Sequence, residues 1–573
     1  MHVLVVMPDR GQQICDVVVV QAVMGVTASR AYGYANIPVD LAGEEVRMKF
    51  RLALLAAAVL ALAVPMNASA HPADVNAMAQ MLGNATMSLT QPPDDGGANF
   101  ATTRNMRLMG FSERRVAPND FGQFNSDIAF WGDRAYQGTW SGFRIVDIDD
   151  PRNPSELIDY RDCANPAGQG DVVIWGSILV RTWDANAGPG TTYTCDGDAV
   201  PAGPAGGPPG TGGFEGLHVF DVSDPGNPDL VASVDLTCGS HTATGVPDLR
   251  NRRLLVYSTP SSPACEGIDI VEVPLSRPQE SEFLRFEFAD RAAGLENNFA
   301  CHDTAVILGR AMKAACAGGV GYALWSLGGK DGGSLDNPRF LYNRVVPEIV
   351  PSPPNVENPT GHSAAFTWDG KTVIFGHEPG GGTRPRCQAV GAPITGSPPA
   401  GSPPGTPPRT GFQTADMKSF FFYDTDTGTA TGKWALTRNQ TAAENCTIHN
   451  YNLIPTKTDD ILVHGSYQSG IGVLDMSNTA GAREIAYADP APLVPTQAGG
   501  DWSSHFYNGY IYESDITRGL FVWKFKDRDA DAAYKLRHLN PQTQEFTIGA
   551  KHDRDRWKKG DKRRNNRWKG GGH

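Results

Sequence analysis

The 573-residue sequence predicts an all-β fold, a seven-bladed β-propeller closed by an N-terminal outer strand. Three observations carry this reading: an apolar motif that recurs, a second landmark that alternates with it, and a spare strand-like segment upstream of the first copy. The motif reads GFRIVDIDD at 142–150, GLHVFDVSD at 216–224, GIDIVEVPL at 267–275 and GYALWSLGG at 321–329. It continues as KSFFFYDTD at 418–426, GIGVLDMSN at 470–478 and GLFVWKFKD at 519–527. In most copies apolar side chains alternate at period two, as a packed strand requires, because successive residues face opposite sides. Asp-Pro or Asn-Pro turns often follow, where a fixed φ and side-chain acceptors favour a tight reversal.

The second landmark precedes each copy by one or two strands. It reads SDIAFWGDRAY at 126–136, GDVVIWGSILV at 170–180, SHTATGVPDL at 240–249 and CHDTAVILG at 301–309. Later versions are GHSAAFTWDG at 361–370, IHNYNLIP at 448–455 and SHFYNGYIY at 504–512. Seven landmarks alternating with seven strands imply seven four-stranded units over residues 104–527. No unit can bury its faces alone, and radial closure protects the sheet edges. The last copy lacks an outer strand before the chain turns charged. RNMRLMGFSERR at 104–115 resembles the outer strand SELIDYRD at 155–162, so it is expected to complete the last blade.

Composition suits many short strands. Gly and Pro total 106 residues, and apolar content is 40% against 20% charged, which supports a packed core. The net charge of −12 is uneven: residues 551–573 hold ten Lys/Arg against three Asp/Glu, so this tail carries +7 and the remainder −19. An acidic body argues against general nucleic-acid binding, which needs clustered cations. The charged region 528–573, with Trp557 and Trp568, is expected to be a largely disordered tail.

Upstream, residues 1–47 form a doubtful leader without a clear structural pattern. Residues 48–70 read as a secretory signal: Lys49 and Arg51, an apolar run at 52–64, then Ala68-Ser69-Ala70 as a small-residue cleavage site. That run falls short of the roughly 20 residues a membrane helix takes. Met48 is the expected initiator and His71 the expected first mature residue, followed by a flexible segment to residue 103. The protein is therefore expected to be secreted, with no transmembrane segment in the mature chain.

The stretches GFRIVDIDDPRNP at 142–154 and GLHVFDVSDPGNP at 216–228 resemble LVIVD-repeat proteins, as does His302-Asp303-Thr304-Ala305-Val306. The resemblance covers about residues 104–545 and is strongest in the first two units. It implies a secreted or surface-attached bacterial propeller and leaves the activity open.

Strand order assigns loops to faces. If the first strand of a blade descends along the axis, the second rises, the third descends and the fourth rises. Loops between second and third strands then share a rim with loops between blades. Two Pro/Gly insertions, 197–216 and 390–411, fall on that rim. So do eight cysteines, with expected bonds Cys163–Cys195, Cys238–Cys265, Cys301–Cys316 and Cys387–Cys446. An even cysteine set in an exported chain reads as disulfides.

Histidines gather on the same rim. His241, His302, His362, His449 and His505 align at the start of the innermost strand, with Ser126 and Gly170 in the first two units. Asp127, Asp171, Asp303 and Asn450 occupy the following position. Converging imidazoles can hold a divalent or copper ion, whereas a repeat histidine can also be a hydrogen-bonding link between blades. His377 and Glu378, in FGHEPGGG at 375–382, add a pair suited to ligand contact before a glycine run. The chain lacks CxxC, a phosphate-loop lysine and Gly-x-Ser-x-Gly. The expected role is an exported, non-catalytic scaffold that binds a protein, glycan or small molecule at its loop-decorated rim. The alternative is a metal-dependent enzyme, such as an oxidoreductase, built on the histidine cluster.

Overall fold

Seven antiparallel meanders surround a channel in the computed structural model, each blade built of four strands. The structure describes residues 2–8, 15–21, 35–36 and 95–549, apart from 118–122, 162–168, 184–192, 196–197, 201–215, 261–264, 266, 290–300, 319–320, 347–360, 379–392, 397–408, 413–417, 439, 442–443 and 494–498. The innermost strands are Asn125–Trp131, Val172–Trp175, Ala243–Asp248, Cys301–Ile307, Gly361–Phe366, Tyr451–Leu453 and Asp501–Tyr507, in blades one to seven. Apolar layers fill the spaces between blades: Phe143, Ile145 and Tyr160 of blade one pack with Leu179, Trp183 and Phe220 of blade two. Strands of a propeller are covered on both faces, so their copies are apolar at nearly every position rather than only at alternate ones.

The repeat is visible in the backbone. In every blade the third strand shifts register against the fourth at one place, between Ile145 and Val146, Val219 and Phe220, Ile270 and Val271, Leu324 and Trp325, Phe422 and Tyr423, Val473 and Leu474, or Val522 and Trp523. A bulge inserts one residue and adds local twist, which the sheet of a blade needs. The glycine that opens the motif also has a physical reason. Gly519 has φ +131°, and a Cβ there would collide with the Ser112 carbonyl on the neighbouring strand.

That neighbouring strand is the N-terminal one. Met106–Glu113 pairs antiparallel with Gly519–Phe525, from Glu113 opposite Gly519 to Met106 opposite Phe525. The segment expected from 104–115 thus closes the ring as predicted. Just before it, Ala101–Thr102 adds a fifth strand to blade six beside Asp489 and Ala488. Phe100 meets Phe521 and Trp523 edge-on at 5.2 and 4.7 Å, and Phe111 stacks on Phe521 at 4.4 Å.

The C-terminal region departs from expectation. Residues 528–549 are ordered, and only 550–573 of the expected tail lie outside the described residues. After a helical turn at Arg528–Asp531, the chain touches every blade in ring order. The Tyr534 amide donates to the Pro455 carbonyl in blade six, and Leu536 exchanges bonds with the Asn508 side chain in blade seven. His538–Leu539 pairs with Trp131 and Phe130 in blade one, and the Asn540 amide exchanges two bonds with the Ile174 backbone in blade two. The Thr543 hydroxyl donates to the Gly245 carbonyl in blade three, Thr543–Gln544 pairs in parallel with Val306–Ile307 in blade four, and Gln544 donates to Phe366 in blade five. Net charge hides this belt, because its affinity for the ring lies in uncharged amides and hydroxyls plus buried Leu536, Leu539 and Ile548.

The chain divides into two units, Met1–Ser69 and Ala70–His573. In the first, where no pattern was expected, His2–Pro8 and Cys15–Gln21 form a hairpin, which suits the β-branched run Val17–Val20. The signal segment 48–70 and the segment 71–94 lie outside the described residues. Among the described residues no helix is long and apolar enough to cross a membrane.

Gly519→Val should unseat the closing strand and lower the melting temperature by several degrees in a thermal melt followed by circular dichroism. A chain ending at Ala533 should likewise melt at lower temperature than the full chain while keeping its β-sheet spectrum, since the ring closes without the belt.

Candidate functional site

The innermost strands of blades one, four, five and seven begin with a register shift at the channel mouth opposite the belt. Register jumps between Cys301 and Asp303, between Gly361 and Ser363, and between Asp501 and Ser503, leaving His302, His362 and Trp502 as the extra residues. His241 and His449 hold the same place in blades three and six, each donating its backbone N–H to the second strand, at Thr259 and Gly465. Bulges re-aim side chains, and those at His302 and His362 bring these two rings into line with His241 and His449, so that four imidazoles from four consecutive blades form a row. Ring centroids lie 4.5 Å apart for His241–His302, 3.9 Å for His302–His362 and 4.3 Å for His362–His449. The row ends on Tyr467 and Trp502, 4.6 and 4.8 Å from His449.

His505 does not join them. It stands three residues beyond Trp502 in the same strand, and its Nε2 lies 3.1 Å from Asp127 Oδ1 of blade one, both side chains buried. The motif alignment put His505 in register with the others, but the bulge belongs to Trp502. An aromatic indole therefore fills the seventh blade's position at the mouth.

Glu378 does join. It follows the second strand of blade five, Thr372–His377, and its Oε2 lies 3.8 Å from His362 Nε2. The Tyr467 hydroxyl donates to Glu378 Oε1 at 2.5 Å. Nothing in the motif pattern marks Tyr467. It sits in a turn of blade six at φ +47°, an uncommon conformation for a bulky residue, and two backbone hydrogen bonds to Asp501 hold it there at 3.0 and 2.8 Å. The His377 backbone pairs with Gly361, and its side chain lies outside the described residues.

Hydrogen bonds orient the rings. His449 Nδ1 contacts the Trp502 carbonyl at 2.5 Å, and His362 Nδ1 contacts the Ser363 hydroxyl. His241 and His302 meet Nε2 to Nε2 at 2.9 Å, so one of the two carries the proton there. His302 Nδ1 is buried with no hydrogen-bond partner among the described residues. Burial, followed by the neighbouring imidazoles, holds His302 well below its ordinary value, and burial brings His449 down to about 4. These two rings are neutral at pH 7 and present lone pairs rather than charge. His362 and Glu378 are buried, while His241 and His302 are half-buried and form the solvent-facing side of the row.

Deeper in the channel, burial and then the charge of Asp127 push Asp303 up to about 7. For Asp127 itself, burial acts upward, but His505 and the Gln542 amide outweigh it and hold the carboxyl below its usual range. Gln542 belongs to the C-terminal belt and donates to Asp127 at 3.0 Å. Asn450 takes a hydrogen bond from the Ser363 hydroxyl at 3.3 Å, and Asp171 accepts from the Ala243 amide at 3.2 Å, so these positions tie neighbouring blades together.

Two expected disulfides stand on this rim. Cys238–Cys265 and Cys301–Cys316 have Cα–Cα separations of 6.1 and 5.5 Å, and the second staples the strand that carries His302. Cys446 is disulfide-bonded. Cys163 and Cys387 lie outside the described residues, as does the Cys195 side chain, so the two remaining pairings stay expectations. The Pro/Gly insertions carry small hairpins, Tyr193–Cys195 with Asp198–Val200 and Pro393–Gly396 with Arg409–Phe412.

Residues 125–162 and 213–236 match the LVIVD repeat. No curated protein sequence matches the chain. Among solved structures it is similar to hydrazine synthase of Kuenenia stuttgartiensis, at 11% identity, with 71% of this chain and 97% of that chain covered and a TM-score of 0.43. The N-terminal domain of Nup159 aligns at 9% identity over 76% of this chain and 99% of its own, with a TM-score of 0.40. The computationally designed Ika8 protein aligns at 11% identity over 72% and 100%, with a TM-score of 0.36.

Asp303 gives a pH test. Its native carboxyl keeps a proton up to about pH 7, whereas an unfolded Asp releases it near ~3.9, so this site's contribution to stability is present at low pH and is lost as pH rises through 7. Asp303→Asn should therefore raise the melting temperature, relative to the parent, more at pH 8 than at pH 5 in parallel thermal-shift series.

Proposed function

We propose, for a chain that carries LVIVD repeats on a seven-bladed propeller, that it is an exported scaffold binding a ligand at the histidine-bearing mouth of its channel. The observation that carries this reading is the asymmetry of the channel. One end is crossed by residues 534–548, bonded to all seven blades, while the other presents half-buried His241 and His302 and disulfide-stapled loops, with the Tyr467 and Trp502 rings buried behind them. A neutral His302 imidazole beside His241, in a rigid surround, suits a polar, uncharged ligand such as a glycan or small molecule, with a protein epitope as the larger alternative. Export is supported by the two disulfides, which persist in oxidising compartments.

A second reading, a metal-dependent enzyme, is favoured by one observation: His302, His362 and Glu378 offer ligand atoms within 4.8 Å of one another. It requires both an ion and a substrate at the same mouth.

A thermal-shift panel of mono- and oligosaccharides and small polar organic molecules tests the scaffold reading on the full chain. Compounds that raise the melting temperature of the parent should lose that effect in His241→Ala/Trp502→Ala. Hits that bind this double variant as well as the parent would place the ligand elsewhere and overturn the reading.

A further inference from the structure

We infer that His302, His362 and Glu378 form a binding site for one first-row divalent transition-metal ion, with Tyr467 as a positioning residue. This goes beyond the scaffold reading, since an ion can be held whatever ligand the mouth accepts. The donor atoms of the three residues already lie within 4.8 Å of one another. Metal–nitrogen and metal–oxygen bonds of about 2.0–2.2 Å bring such atoms to roughly 3–4 Å, within reach of side-chain rotation.

The surroundings are built as metal sites are built. His362 commits its Nδ1 to Ser363, which leaves Nε2 directed at Glu378. Tyr467 donates to the other carboxylate oxygen, the kind of outer contact that orients a ligating carboxylate. Its left-handed backbone, in the turn between the second and third strands of blade six and clamped by Asp501, is a conformational cost for a bulky residue. The Cys301–Cys316 bond fixes the strand on which His302 stands.

The donor set selects the ion. Two imidazoles and one carboxylate, without thiolate, suit Zn²⁺, Cu²⁺ and their neighbours rather than Ca²⁺ or Mg²⁺, which take oxygen ligands.

Isothermal titration of the chelator-stripped full chain with ZnCl₂, and separately with CuCl₂, tests the inference, with MgCl₂ as the contrasting ion. One Zn²⁺ or Cu²⁺ per chain is expected, with no Mg²⁺ binding. His302→Asn and Glu378→Gln should each weaken it at least 100-fold, and Tyr467→Phe, which keeps every ligand, about tenfold. His505→Asn should leave affinity unchanged, because His505 faces Asp127. Bound Co²⁺ should show visible ligand-field bands that move in Glu378→Gln. Absence of stoichiometric Zn²⁺ and Cu²⁺ binding, or binding unchanged in Tyr467→Phe and Glu378→Gln chains with parental circular dichroism, would overturn it.

Discussion

A sheet that ends without a partner exposes a row of backbone N–H and C=O groups, and in this ring the edge at risk is the third strand of blade seven, Gly519–Phe525. Met106–Glu113 satisfies it, joining residues more than 400 positions apart in sequence. The same segment then reaches the first blade. Arg114, buried, donates from Nε to Asp159 of the outer strand at 3.0 Å and from Nη1 to Asn125 of the inner strand at 3.0 Å. Arg144 of blade one answers by donating to the Ser112 hydroxyl at 2.7 Å. A guanidinium buried without its partners is costly, so these contacts select one register of closure and hold blade seven against blade one. The spacing of the inner strands, and with it the approach of the imidazoles, follows from this closure.

The two ends of the channel then take opposite characters for a local reason. Along the channel-facing edge of the inner strands, backbone carbonyls without a strand partner accept hydrogen bonds from the side chains of Asn540, Thr543 and Gln544, and the belt lies along them. At the N-terminal ends, bulges in blades four, five and seven break the ladder and set His302, His362 and Trp502 at the mouth. Gln542 links the two regions through Asp127, which in turn faces His505. The acidic carboxylates of the channel are thus shared out: Asp127 is paired, whereas Asp303 faces burial and its neighbour's charge, a separation of two like groups by environment.

Four of the five aligned histidines meet as their positions in the repeat implied, and Glu378, singled out for the glycine run beside it, comes to them. The fifth was misplaced by three residues. His505 and Trp502 lie in one strand, and period-two alternation cannot say which residue is extruded when a bulge interrupts it; only pairing with the second strand can. Tyr467 was silent in sequence because its role depends on a backbone conformation set by Asp501 of the next blade. Charge and low apolar content dominate 528–573 and give the belt the look of a tail, while its bonds are made by a few neutral side chains at fixed spacing.

Sequence by itself determined the number of blades, the strand that closes the ring, the rim that bears the cysteines and the histidine-rich character of one mouth, because each is written in local repetition and in order along the chain. Tertiary structure decided which imidazoles touch, that Glu378 and Tyr467 stand with them, that His505 serves Asp127 instead, and that the far end of the channel is crossed by the C-terminal belt. Those outcomes depend on bulges and on contacts between blades, where residues distant in sequence compete for one place, and no periodic pattern within a strand records the result.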